Sequence, residues 1–152
     1  MVEQSGKLKL TVVAAHLKHD VDAGGKQDPF VKITYREDGH KTSVKKDAGK
    51  EPHWNETFDF DIKYIGDEIF FEVIDHNVLE KNEPIGQTKF VVSALCVHHG
   101  FDGWFEIHGK HGHEQGKIHL KSEWHPNHGG HGLLHNHWEF FLNERYFNFI
   151  QK

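Results

Sequence analysis

Up to Leu120, apolar residues recur mostly at every second position, the period of strands with one covered face. Leu8, Leu10 and Val12 open the pattern, and Phe30, Ile33 and Tyr35 continue it. Residues 41–44 form a third short run, joined to the second through Asp38-Gly39, a dipeptide suited to a tight hairpin. Phe58, Phe60 and Ile62 alternate cleanly, and residues 69–74, 86–92, 103–107 and 117–120 supply four more runs. Eight short strands separated by turn residues predict an all-β sandwich. Residues 92–97 predict a helical turn inside a connection. Trp54, Phe58, Phe60, Ile62, Phe71, Val73, Trp104 and Phe105 are assigned to its core.

Two acidic loops interrupt this pattern, each just after a strand-like run. The first holds Asp20, Asp22 and Asp28, and the second holds Asp75, Asn77 and Glu83. Loops at one end of a sandwich lie close together however far apart they are in sequence. Crowded carboxylates are unfavourable unless a cation occupies the gap. Oxygen donors on loops suit a hard cation such as calcium.

Composition narrows the class. The 152 residues are 27% charged and 36% hydrophobic, as in one soluble globular domain. A net charge of -5 gives no basis for nucleic-acid binding. Cys96 is the single cysteine, which excludes an intramolecular disulfide and suits a reducing compartment. The start of the chain lacks the apolar stretch of a signal peptide, and no run is long enough to span a membrane. The expectation is therefore a cytoplasmic protein that meets membranes peripherally or joins an intracellular assembly. Histidine is abundant, and protonating all 16 takes the net charge from -5 to +11. A solvated compositional bias explains this more simply than a pH switch.

Several motifs, in order, resemble the C2 domain family. They are the opening Gly6–Leu17, the Asp28-Pro29-Phe30-Val31-Lys32 step, the Lys41-Thr42 pair and Pro52–Phe58 with its Trp54-Asn55-Glu56 core. Val73-Ile74-Asp75, Pro84-Ile85-Gly86 and Gly103-Trp104-Phe105 complete the set. The match covers residues 6–124 and is similar to small stand-alone C2 proteins of plants and protists. It implies an eight-stranded antiparallel Greek-key sandwich whose end loops bind calcium and then phospholipid. With Gly116–Trp124 as the eighth strand, the order is similar to the circularly permuted, type II form.

The resemblance implies a ligand set of Asp22, Asp28, Asp75, Asn77 and Glu83, with Asp20 able to exchange register with Asp22. Asn77 keeps an oxygen but lacks a charge, so it weakens the site, whereas a flexible calcium shell absorbs the longer Glu83. Val21, Val78 and Leu79 at the loop tips are candidates for bilayer contact, though isolated exposed aliphatics are also ordinary. Lys32, Lys41, Lys45 and Lys46 resemble the basic face that family members use for phosphoinositides, but a solvated charged face is the simpler reading and is favoured here.

Enzymatic chemistry has little support. Cys96 adjoins His98 and His99 only in sequence, among apolar neighbours that suit an inert buried thiol. No phosphate-cradling glycine loop or nucleophile elbow is present.

Residues 125–152 depart from the family pattern and form a second unit after a sandwich at 1–124. A histidine- and glycine-rich loop, 125–132, leads into an aromatic stretch. There Leu134, Trp138, Phe141, Leu142 and Phe149 fall at helical spacing on one face. Such a face must be covered by a partner protein, by the sandwich itself or by a membrane interface, and protein docking through 133–152 is favoured. The five histidines between His125 and His137 suit a borderline metal, but the intervening glycines argue against a preformed site. The expected function is a non-catalytic, calcium-responsive module that docks on anionic phospholipid. The alternative is a calcium-independent C2 scaffold held in an assembly by its tail.

Overall fold

The computed structural model describes residues 4–19, 26–76 and 83–127, with Glu83 represented by its backbone alone. Eight strands follow one another: β1 (Gly6–Leu17), β2 (Pro29–Tyr35), β3 (Asp38–Lys41), β4 (His53–Ile62), β5 (Glu68–Asp75), β6 (Glu83–Val91), β7 (Gly100–His108) and β8 (Glu114–Pro126). Their spatial order is β3-β2-β5-β6-β7-β8-β1-β4, and every pairing is antiparallel. β6 and β7 share a single ladder pair, Gln87↔His108, so the ladder bends there into two four-stranded layers. The outer ends of the two layers meet again through rings, since Tyr35 and His40 each set an edge against Phe60.

Alternation explains which residues fill the space between. Leu8, Leu10 and Val12 from β1, with Ile118 and Leu120 beside them on β8, face Val31 and Ile33 from β2 and Phe71 and Val73 from β5, all essentially buried. A bulge at Val13 shifts β1 against both neighbours. One extra residue moves the inward face from even to odd positions. Ala15 and Leu17 accordingly join the core while His16 is exposed, although Ala14 at the bulge is also covered. Where β8 passes the end of β1, Gly116 takes φ 134, and a Cβ there would lie 2.0 Å from the His16 carbonyl. Only glycine permits that approach.

Eight strands are present, as expected, although the third lies at Asp38–Lys41 and not at the expected 41–44, and the connection after β6 holds two 3-10 turns, Val92–Leu95 and Val97–His99. Several expectations need correction. The β2–β3 turn is Arg36-Glu37, with Arg36 at φ 52, and Asp38-Gly39 already belongs to β3 through Tyr35↔Asp38 and Thr34↔Gly39. Trp104 is not core: at 49% exposure it lies on the outer face, stacked on the His119 ring at 4.7 Å. Phe58 and Phe105 pack against the core only in part. His125 and Pro126 are strand, paired with Lys7 and Gly6, so the sandwich passes residue 124. Asn127 is tied to it by donating its N–H to the Ser5 carbonyl at 2.8 Å. The expected helix and its docking face, from Leu134 to Phe149, lie outside the described residues.

Candidate cation site

β1 ends, β2 begins, β5 ends and β6 begins at one end of the sandwich, which gathers the loops that the acidic residues occupy. Asp28 directly precedes β2 and Asp75 closes β5, and Pro29 pairs with Asp75 across the ladder. Asp75 accepts the backbone N–H of Asp28 on Oδ1 at 2.8 Å, and the Asp28 carbonyl accepts the His76 N–H at 2.9 Å. Asp28 in turn accepts the Asp47 N–H on its own Oδ1 at 2.7 Å. Each carboxylate is thus oriented by a backbone donor, and Asp75 is only 2% exposed. A hydrogen-bonded carboxylate keeps further lone pairs for a cation.

β6 brings the next acid alongside. Its first residue, Glu83, pairs with Asp75, while Pro84 pairs with Ile74. A bulge at Ile85 follows, after which Gly86 faces Val73. A Cβ on Gly86 would press on the Ile107 side chain at 3.1 Å, so the Pro-Ile-Gly segment fits a close approach of β6 to β7. The backbone therefore places Glu83 opposite Asp75. The Glu83 side chain, and the expected ligands Asp20, Asp22 and Asn77, lie outside the described residues. So do Val21, Val78 and Leu79. Among the described residues no three His, Cys, Asp or Glu side chains come together as a metal site. Asp28 and Asp75 form a pair of hard oxygen donors, the type calcium takes.

Two supports were not evident from sequence. Gln27, fully buried, donates its amide N–H groups to the His19 carbonyl at 2.8 Å and the Gly49 carbonyl at 3.3 Å. Gly49 returns its N–H to the Gln27 carbonyl at 3.1 Å. The segment 45–50 thereby becomes a wall of the site, with Asp47 held at φ 55. The position of Gln27 just before the Asp-Pro step was its only sequence signal. The Trp54-Asn55-Glu56 motif is structural. Trp54 is buried and donates its indole N–H to the Ser43 carbonyl at 3.0 Å, while the Glu56 carboxylate accepts from the Ser43 N–H.

The four lysines separate into two places. Lys32 and Lys41 are directly opposite each other on β2 and β3, both exposed, and Glu72 of β5 lies opposite Lys32 on its other side. Lys45 and Lys46 sit beside the Asp28 corner, where Lys45 donates its N–H to the Pro29 carbonyl at 3.0 Å. Thr42 between them is buried and exchanges hydrogen bonds with the backbone of Val31. Cys96 is largely covered, and its burial pushes the thiol pKa far up, which suits an inert side chain.

Antiparallel layers in this order, with acids from two loops brought to one end, define a class of loop-end binding sandwiches. A model of the C2 domain family matches residues 6–107 of the 152, and the chain belongs to that family. Synaptotagmin-4 of Arabidopsis thaliana is 36% identical over 124 residues, covering 80% of this chain and 21% of the relative. The 16 kDa phloem protein 2 of Cucurbita maxima is 33% identical over 84 residues, covering 53% of this chain and 61% of the relative. This chain thus spans less than two thirds of either relative. Among solved structures, a C2 domain of plant Extended Synaptotagmin 1 superposes with a TM-score of 0.72 at 25% identity, covering 80% of this chain and 95% of that one. The calcium-bound pair of C2 domains from Extended-Synaptotagmin 2 gives 0.66 at 25% identity, covering 78% and 45%.

Proposed function

We propose that this chain is a non-catalytic, calcium-responsive module that docks reversibly on anionic phospholipid. The observation that carries this reading is the hydrogen bond from the Asp28 N–H to the buried Asp75 carboxylate, with Glu83 across the ladder from Asp75. It brings acids of both loops to one corner and holds them there before any ligand arrives. Asp22, Asp28 and Asp75 are the charged ligands, Asn77 and Glu83 complete the shell, and Asp20 is the reserve acid. Bound calcium would neutralise these carboxylates and offer a coordination position to a lipid phosphate oxygen.

The chain's own residues do the rest. Lys32 and Lys41, with Lys45 and Lys46 nearer the loops, draw the domain toward an anionic surface at about 1 kcal/mol per lysine. Val78, Leu79 and Val21 give up water for the acyl boundary at about 25 cal/mol per Å². Calcium is bound in the similar Extended-Synaptotagmin 2 domains, which supports the reading here.

Calorimetric titration of calcium into the full chain, with and without phosphatidylserine liposomes, tests the proposal. Measurable heat that grows when liposomes are present is the expected result. No heat, with liposome binding unchanged by chelator, would leave a calcium-independent scaffold.

A further inference from the structure

The bend between the two layers leaves an open seam. β7 pairs with β8 from Gly100 to His108, yet pairs with β6 only at Gln87↔His108, near the loop end. Farther along, the two facing edges diverge, and half-buried rings fill the gap. Phe90 of β6 stacks on Phe105 of β7 at 4.3 Å, and Phe105 meets Phe101 at 5.4 Å. Val91 on the β6 side is 40% exposed. Open strand edges beside apolar surface invite pairing and aggregation, so folded proteins cover them with a helix or loop.

The chain continues past this seam. Asn127 is pinned to Ser5 at the end of the sandwich where β7 begins, because Gly100 lies opposite Glu123 on β8. The sequence then runs through five residues, His128 to Gly132, three of them glycine, which reach about 17 Å when extended. Beyond them, residues 133–149 carry apolar side chains at helical spacing. Seventeen residues of helix measure about 25 Å, and a nine-residue strand such as β7 measures about 30 Å. The lengths agree, and the tether is long enough to turn the segment back along the strand.

We propose that residues 133–149 dock on their own sandwich along the β6–β7 seam, with Trp138 and Phe141 over Phe90, Phe101 and Phe105. This assigns the tail an intramolecular site in place of a partner protein. It is independent of the calcium reading, since the seam lies away from Asp28 and Asp75.

Hydrogen exchange of the full chain, compared with full-length Trp138→Ser/Phe141→Ser, is the test. Exchange at residues 88–91 and 100–106 should become at least tenfold faster in the variant, while β1 and β5 stay protected. The reciprocal variant Val91→Glu changes only an exposed position and should speed exchange within 133–149 by a similar factor. Wild type and both variants should sediment as monomers. Unchanged exchange at the seam in the first variant, or unchanged exchange of the tail in the second, overturns the proposal. A wild-type dimer that the tail variant dissociates overturns it too, because the occupant would then be a second copy.

Discussion

The buried carboxylate of Asp75 accepts the backbone N–H of Asp28 at 2.8 Å, joining two residues 47 positions apart. The bond orients the oxygen proposed as a cation ligand and also fixes the start of β2 against the end of β5. Under the proposed function, one side chain would serve both binding and local stability.

Asp75→Asn should abolish calcium heat in calorimetry. The amide oxygen still accepts from Asp28, so the melting temperature should fall little compared with the loss of binding. Asn77→Asp restores a charge to the shell and should tighten calcium binding severalfold. Equal heats for wild type and Asp75→Asn would remove this corner from the mechanism.

Val78→Ser combined with Leu79→Ser should weaken calcium-dependent sedimentation with liposomes while leaving calcium affinity without lipid intact. Unchanged co-sedimentation would mean that these side chains stay outside the bilayer.

Lys32 and Lys41 face each other as like charges across β2 and β3. Like charges directly opposite are mildly destabilising. Lys41→Ala should therefore leave the melting temperature unchanged or slightly raised. It should also weaken binding to anionic liposomes by about fivefold at low salt, the equivalent of about 1 kcal/mol. Identical liposome affinity would make this a merely solvated face.

Asp67 accepts the Tyr35 hydroxyl at 2.6 Å and the Arg36 guanidinium at 2.8 Å on the same oxygen. Burial works to raise its pKa, but those two donors outweigh it and hold the carboxyl below the usual range. For Tyr35, burial first and the bond to Asp67 second push the phenol up. A lowered carboxyl pKa contributes stability that is present above its unfolded value and is lost as pH falls through the folded one. A raised phenol pKa contributes stability that is present below about 10 and is lost above it. Stability should fall on both flanks, and Tyr35→Phe should flatten the alkaline one at a cost of about 1 kcal/mol near neutrality. Urea melts at about pH 3, 7 and 10.5, on either side of the two ordinary pKa values, check this. Parallel pH profiles for wild type and Tyr35→Phe would show that the pair is not coupled to folding.

The strands were legible because burial on one face imprints a period of two, and Leu8 to Val12 or Phe58 to Ile62 show it undisturbed. Misreadings arose where a local signal competed with register. Asp38-Gly39 has turn chemistry, yet Arg36-Glu37 makes the turn. Trp104 looks like core by residue type, but its alternation with Phe105 and Ile107 sends it outward. The meeting of Asp28 and Asp75 at one end of the sandwich was legible from motif context. Their backbone donors were not, because Asp47 and Gln27 act through approaches between segments that sequence leaves unconnected.

Gln27 has a consequence for how such a domain diversifies. By bonding the His19 carbonyl, which precedes residues 20–26, and the Gly49 carbonyl on the neighbouring segment, it ties the chain before that stretch to the chain after it. Changes in the length of the stretch between His19 and Gln27 should therefore leave Asp28 in its place at the start of β2.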